Sequence, residues 1–118
     1  MSEELLEVLR KEDELQLTVK GRISGREVPR PVWFVLRRHE VLFLPVKGSS
    51  SQWYRNSLKN PQVMIAIGGR TYTGNAEPIK EKGAVSEVVE LFKSRYGVGD
   101  IKKYYSKLDV ATRLSLSQ

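Results

Sequence analysis

No cysteine occurs among the 118 residues, and His39 is the single histidine. The first absence removes disulfides and thiolate metal sites, and makes a reducing cytoplasm the expected compartment. The second leaves too few ligands for a histidine-based metal centre. A Ser-His-Asp triad would have to use His39, which sits between Arg38 and Glu40 with no nucleophile-elbow pattern nearby. There is no Walker loop and no GxGxxG motif after a strand. No run reaches the roughly 20 apolar residues that span a bilayer, and the acidic, amphipathic opening MSEELLEVLRKEDE does not read as a signal peptide. Acid is also scarce in the middle of the chain. Between Lys20 and Arg70, ten Lys/Arg face only Glu27 and Glu40, so this window carries +8 of a net +6 and the remainder −2. A hydrolase built on paired carboxylates lacks its acids there, whereas an anionic ligand finds a positive surface.

Hydrophobic residues make up 40% and charged residues 29% of the chain, an ordinary soluble composition, and the length fits one domain, residues 1–118. Ser2 can cap a helix within residues 1–13, with Glu3 and Glu4 at its positive end and Leu5, Leu6 and Leu9 on one face. Residues 14–79 read as strands. ELQLTVK alternates, GRISGRE is a hairpin connection, and the prolines of VPRPVWFVLRR suggest an edge or a bulge at the start of its strand. The unbroken apolar run of HEVLFLPV suggests burial on both faces. A helix near 51–59 is stopped by Pro61. QVMIAI and TYTGNAEPI follow as strands, the latter weakened by Gly74, then helices over 81–106 and a last, weak strand over 111–117. Antiparallel strands in hairpin order with helical cover predict a mainly β (α+β) barrel.

Two clusters can hold an anion. In KGSSS, Gly48 lets the chain turn with its N–H groups exposed, Ser49 and its neighbours add hydroxyls, and Lys47 adds a charge just ahead of a helix N-terminus. In KGRISGR, Arg22 and Arg26 flank Ser24, and arginine forks suit phosphate or carboxylate. Trp53 and Tyr54 provide planar surfaces.

The order of these motifs is similar to that of the deazaflavin-dependent nitroreductase family. The motifs are GRISG, a strand from Pro31 carrying Trp33, KG after the third strand, WYRNSLKNPQV, and a strand followed by GG. That family belongs to the flavin- and deazaflavin-dependent oxidoreductases of the pyridoxamine-phosphate-oxidase-like type. The resemblance runs from about Thr18 to Ala76 and more loosely to Tyr105 and the last strand. It implies an antiparallel split β-barrel of the FMN-binding type with flanking helices. It also implies an 8-hydroxy-5-deazaflavin coenzyme, with FMN as the second choice, and hydride transfer to a small organic acceptor such as a quinone, a nitro compound or an activated alkene. By the same resemblance Arg22 and Ser24 lie by the anionic tail, with Arg26 and Arg30 beside them. Pro31 and Trp33 line the groove, Lys47, Gly48 and Ser49 contact the ring or its linker, and Trp53 and Tyr54 pack alongside. Tyr96 and Tyr105 correspond to substrate-side tyrosines, and a homodimer is implied. Ile23, Val28 and Val46 stand where the family places basic or polar residues. An FMN-binding oxidase, reductase or carrier of the same fold, a basic barrel binding nucleic acid through Trp33, Trp53 and Tyr54, and a scaffold without cofactor remain as other readings.

Overall fold

The computed structural model describes residues 2–116. Met1, where the expected N-terminal helical segment begins, and Ser117, where the expected last strand ends, lie outside them. Helix α1 (Glu3–Lys11) is capped by Ser2, whose Oγ accepts from the Leu5 N–H at 3.2 Å, and Leu5, Leu6 and Leu9 are buried. Strand β1 (Glu14–Lys20) buries Leu15, Leu17 and Val19, the three residues its alternation puts on one face. Then come β2 (Glu27–Trp33), β3 (Val35–Arg37), β4 (Glu40–Phe43), α2 (Gln52–Lys59), β5 (Gln62–Ile67) and β6 (Arg70–Ile79). Helices α3 (Lys82–Tyr96) and α4 (Val98–Tyr104) precede the last strand, β7 (Ala111–Leu116).

All pairings are antiparallel, in the order β2-β1-β5-β6-β7-β4-β3. The two ends of this order are neighbours in sequence, separated only by Phe34. One long strand therefore bends at Phe34, pairs with β1 through its first half and with β4 through its second, and curls the sheet into a split barrel. Its first half is an edge, which is where Pro29 and Pro31, lacking N–H donors, are tolerated.

Two apolar clusters fill the fold. One lies inside the barrel and draws Leu17, Phe34, Val41, Phe43, Ile65 and Leu114 together under α1. The other lies between the outer side of β3 and β4 and the helices α3 and α4, and includes Leu42, Leu44, Val88, Phe92 and Ile101. Strand β4 and the residue after it serve both, Val41 and Phe43 inward and Leu42 and Leu44 outward. This is the physical reason for its unbroken apolar run.

Two sequence expectations change. The stretch read as a weak last strand is interior to the sheet, paired with β6 on one side and β4 on the other. Gly74 is not a weakness in β6. It pairs with Val63 and Leu116, and a Cβ there would come within 2.6 Å of the Ser115 carbonyl, so the missing side chain is what admits β7.

Candidate active site

Where β2 reaches the Phe34 bend, a groove of about 230 Å³ opens between the barrel and α4. Pro31, Val32 and Trp33 form its β2 wall, Leu44 and Val46 its floor after β4, Trp53 its α2 side, and Tyr104 and Tyr105 its α4 side. Glu14 is its single ionisable acid. The lining is therefore apolar and aromatic, the material that holds a planar ring by its faces. Trp33 meets Tyr104 edge-on, ring centroids 5.8 Å apart, and Tyr105 at a tilt. Burial, with a smaller effect from Tyr96, holds the Tyr105 phenol far above its usual range, so it stays protonated.

Of the residues expected in or beside the groove, Pro31, Trp33, Trp53 and Tyr105 line it. Tyr54 does not. It is 2% exposed in the barrel core, and its buried hydroxyl has no partner among the described residues. Nor does Tyr96, which stacks on the far side of Trp33 with centroids 4.4 Å apart and planes 10° from parallel. The lining residues that sequence reasoning passed over are Glu14, Val32, Leu44 and Tyr104. Tyr104 had a signal, its place beside Tyr105, but both reach the groove because α4 ends at Tyr104 and the chain is extended at Tyr105, which no short pattern marked.

The basic hairpin and α2 are tied together. Asn56 Oδ1 accepts from the Arg22 N–H at 3.1 Å and from Arg22 Nη1 at 2.7 Å. Lys59 donates to the Arg22 carbonyl, and Asn60 Nδ2 donates to the carbonyls of Lys20 and Gly21. Ser24 Oγ accepts from the Arg26 N–H within the turn, while Ile23 points fully outward at 93% exposure. Arg30 lies on the same β2 face as Val32, one alternation from the groove, and its Nε is buried with no partner among the described residues. Among the described residues no carboxylate pairs with Arg22, Arg26, Arg30, Lys47, Arg55 or Lys59. Arg37 and Arg70, also in the basic window, are instead neutralised by Glu40 with Glu87 and by Glu4. The positive charge left over is concentrated at the hairpin, α2 and Lys47.

The KGSSS loop departs from the reading as an open cradle. Gly48–Ser50 forms one 3-10 turn, and its amides are already used. Gly48 N–H donates to the Pro45 carbonyl, Ser50 to Lys47, Ser51 to Gly48, and Ser49 to Asp109 Oδ1 at 2.9 Å. Ser49 Oγ donates to Asp109 Oδ2 at 2.5 Å, and Ser51 Oγ accepts from the Lys47 N–H. Gly48 is buried at φ +54°, and a Cβ there would collide with the Asp109 carboxylate. Asp109, sixty residues on, occupies the place the sequence reading gave to an anionic ligand. Of this cluster Lys47 remains available.

With this geometry in view, comparison with known proteins is decisive for the family and not for the fold alone. Residues 3–107 match the model of the family described as F420H(2)-dependent quinone reductase. The chain belongs to that family. The F420H(2)-dependent quinone reductase family shares its deazaflavin dependence with the resemblance read from the motifs, and the deazaflavin, the first of the two cofactors expected, is the cofactor of the family. No curated protein matches the chain. Solved structures extend the fold beyond the family. An F420-H2 dependent reductase is 17% identical with a TM-score of 0.68 over 88% of this chain and 95% of its own. A putative pyridoxamine 5'-phosphate oxidase of Listeria innocua is 15% identical with a TM-score of 0.73 over 98% and 92%. The heme storage protein of Vibrio cholerae is 21% identical with a TM-score of 0.71 over 98% and 89%. These likenesses establish the split barrel. Such different proteins on one barrel mean that the barrel by itself does not select a cofactor.

Proposed function

We propose that this protein is a quinone reductase that binds the reduced deazaflavin with its ring in the aromatic groove and its anionic tail along the basic hairpin. The observation that carries this reading is the adjacency of the two halves: an apolar groove, and one strand alternation away the orphaned buried Nε of Arg30 among cations that no carboxylate neutralises. A buried donor without a partner favours an acceptor, and a phosphate or glutamate oxygen is one. Arg30 and Arg22 would hold the tail, with Asn56 fixing Arg22, and Lys47 would stand at the ring end. Bound there, the reduced deazaflavin supplies a hydride. Trp33, Trp53 and Tyr105 hold the reacting faces in register and keep water from them. A quinone suits the site because it is flat and uncharged and the groove walls are aromatic. Glu14, facing the lining, would disfavour an anionic acceptor. The groove is small beside the roughly 300–1,000 Å³ of common ligand sites and open on one side, so a second subunit would complete its cover. The protein would act as a single domain in the cytoplasm, and no helix among the described residues is long and apolar enough to cross a membrane.

The test is titration of the purified protein with oxidised and reduced F420, FMN and FAD, read by quenching of Trp33 and Trp53. Saturable quenching by F420 alone is expected. Arg30→Ala and Arg22→Ala should each weaken it by about 1.5–3 kcal/mol, the range of a charge-assisted hydrogen bond, and Lys47→Ala by about 1 kcal/mol because that side chain is exposed. Unchanged dissociation constants in all three variants would remove the site assignment. A preference for FMN would keep the fold and reject the cofactor.

A further inference from the structure

Strand pairing fails at Phe34, the residue between β2 and β3, and the fold has to satisfy its N–H and C=O by other means. The Tyr96 hydroxyl does so. It accepts from the Phe34 N–H at 3.1 Å, and it lies 2.6 Å from the Phe34 carbonyl and 2.8 Å from the Asp13 carbonyl, between which it shares its one proton. Arg95 reinforces it. Its Nη1 donates to the same Phe34 carbonyl at 3.0 Å, its Nη2 donates to the Glu12 carbonyl, and its guanidinium lies over the Phe34 ring, 4.7 Å from the centroid. Two consecutive residues near the end of α3 thus fasten the bend of the barrel to the junction of α1 and β1. The Tyr96 ring meanwhile backs Trp33 as a parallel stack. Arg95 is three-quarters buried and Tyr96 is buried in part, so neither is a surface contact.

We propose that Tyr96, seconded by Arg95, is a positioning residue for the groove: its hydroxyl fixes the Phe34 bend and its ring fixes the plane of Trp33, the wall on which a planar ligand lies. This gives Tyr96 a role behind the wall, where the family resemblance implied one on the substrate side. The part that concerns ligand binding rests on the deazaflavin reading above. The part that concerns Trp33 does not.

Two readouts separate those parts. In a Trp53→Phe background, Trp33 is the only tryptophan, and its near-ultraviolet circular dichroism and acrylamide quenching report its packing without any cofactor. Tyr96→Phe keeps the stack and removes the lock. Tyr96→Leu removes both. The Trp33 dichroic band should survive in Phe and vanish in Leu, with quenching increased, while the far-ultraviolet spectrum of each stays that of the parent. In the native tryptophan background, Tyr96→Phe should raise the F420 dissociation constant about three- to tenfold, the loss of one or two neutral hydrogen bonds, and Tyr96→Leu should raise it further. In turnover KM for the acceptor should rise more than kcat falls, since no chemistry is assigned to Tyr96. An unaltered Trp33 signal in Tyr96→Leu would overturn the proposal. So would a kcat collapse in Tyr96→Phe at unchanged KM, which would make the hydroxyl a reacting group. Should Tyr96→Leu fail to fold, Tyr96→Phe and Arg95→Met carry the test, each expected to keep the Trp33 dichroic band and to raise its acrylamide quenching moderately, and unchanged quenching in both would overturn the proposal. Should F420 not bind the parent, the Trp33 measurements still decide the positioning role.

Discussion

At the residue scale, Asp109 is the most informative surprise. Its two oxygens close the turn at Gly48–Ser49 from the far end of the chain. Burial alone would raise its pKa, but the Ser49 hydroxyl and amide, with the charge of Lys107, hold the carboxyl below its usual 3.8. A carboxyl whose folded pKa is depressed adds stability that is complete above the unfolded value and is lost as pH falls through the folded one. Asp109→Asn keeps the shape and loses the charge. It should cost about 0.5–1 kcal/mol at pH 7, a charge-assisted pair discounted for solvent screening. The difference between the two proteins should begin to shrink as pH drops below 3.8, where the unfolded chain takes up its proton, and its charge part should be gone once pH has fallen through the lower folded value. Urea unfolding at neutral pH and at successively lower pH measures both. A difference that stays constant with pH would show that geometry, not charge, holds the loop. No local pattern in KGSSS announced this partner, because the pairing spans sixty residues and a serine-glycine turn looks the same with its amides free or filled.

At the scale of elements, what the sequence disclosed follows periodicity. The alternation of β1, the double-sided burial of β4, the capped start of α1 and the prolines of β2 at an edge are all local consequences of residue type, and each is present in the structure. What was hidden is who pairs with whom. TRLSLS has few large apolar residues and reads as peripheral, yet Leu114 is 1% exposed, at the centre of β7 in the barrel core. It pairs with Ala76 on one side and Val41 on the other. A strand interior to the sheet needs only one large buried side chain when its neighbours supply the rest. Leu114→Ala should therefore cost about 2–5 kcal/mol, as buried leucines do, while Leu116→Ala, only partly buried at the end of the same strand, should cost about 1 kcal/mol. Equal and small effects in urea unfolding would return β7 to the periphery. The groove was legible in the same uneven way. Pro31, Trp33 and Trp53 were marked by their motifs, whereas the Tyr96 lock depends on α3 crossing the strand bend, which no short window of sequence contains.

At the scale of the whole molecule, charge is distributed by face. Register places Pro31, Gln16, Ala66 and Thr71 in one row across β2, β1, β5 and β6, and Pro29, Thr18, Met64 and Thr73 in the next. These eight side chains lie on the outer face of the sheet, and none is ionisable, in a chain where 29% of residues are charged. A two-fold interface brings a patch against its own copy, so any charge near the axis meets itself, and a patch without charge is the surface that tolerates such contact. The homodimer implied by the family resemblance is therefore expected to form here, where Pro31 also reaches the open side of the groove. Light scattering coupled to size exclusion should give twice the 13.5 kDa of the chain. Thr18→Glu with Met64→Glu, two adjacent positions in the middle of the face, should give a monomer with an unchanged far-ultraviolet spectrum. If the groove needs the second subunit for cover, that monomer should also bind F420 at least about tenfold more weakly, roughly 1.4 kcal/mol, though neither substitution touches the lining. A monomeric parent would end the dimer. A monomeric variant that binds F420 as the parent does would keep the dimer and show that each groove is complete within its own chain.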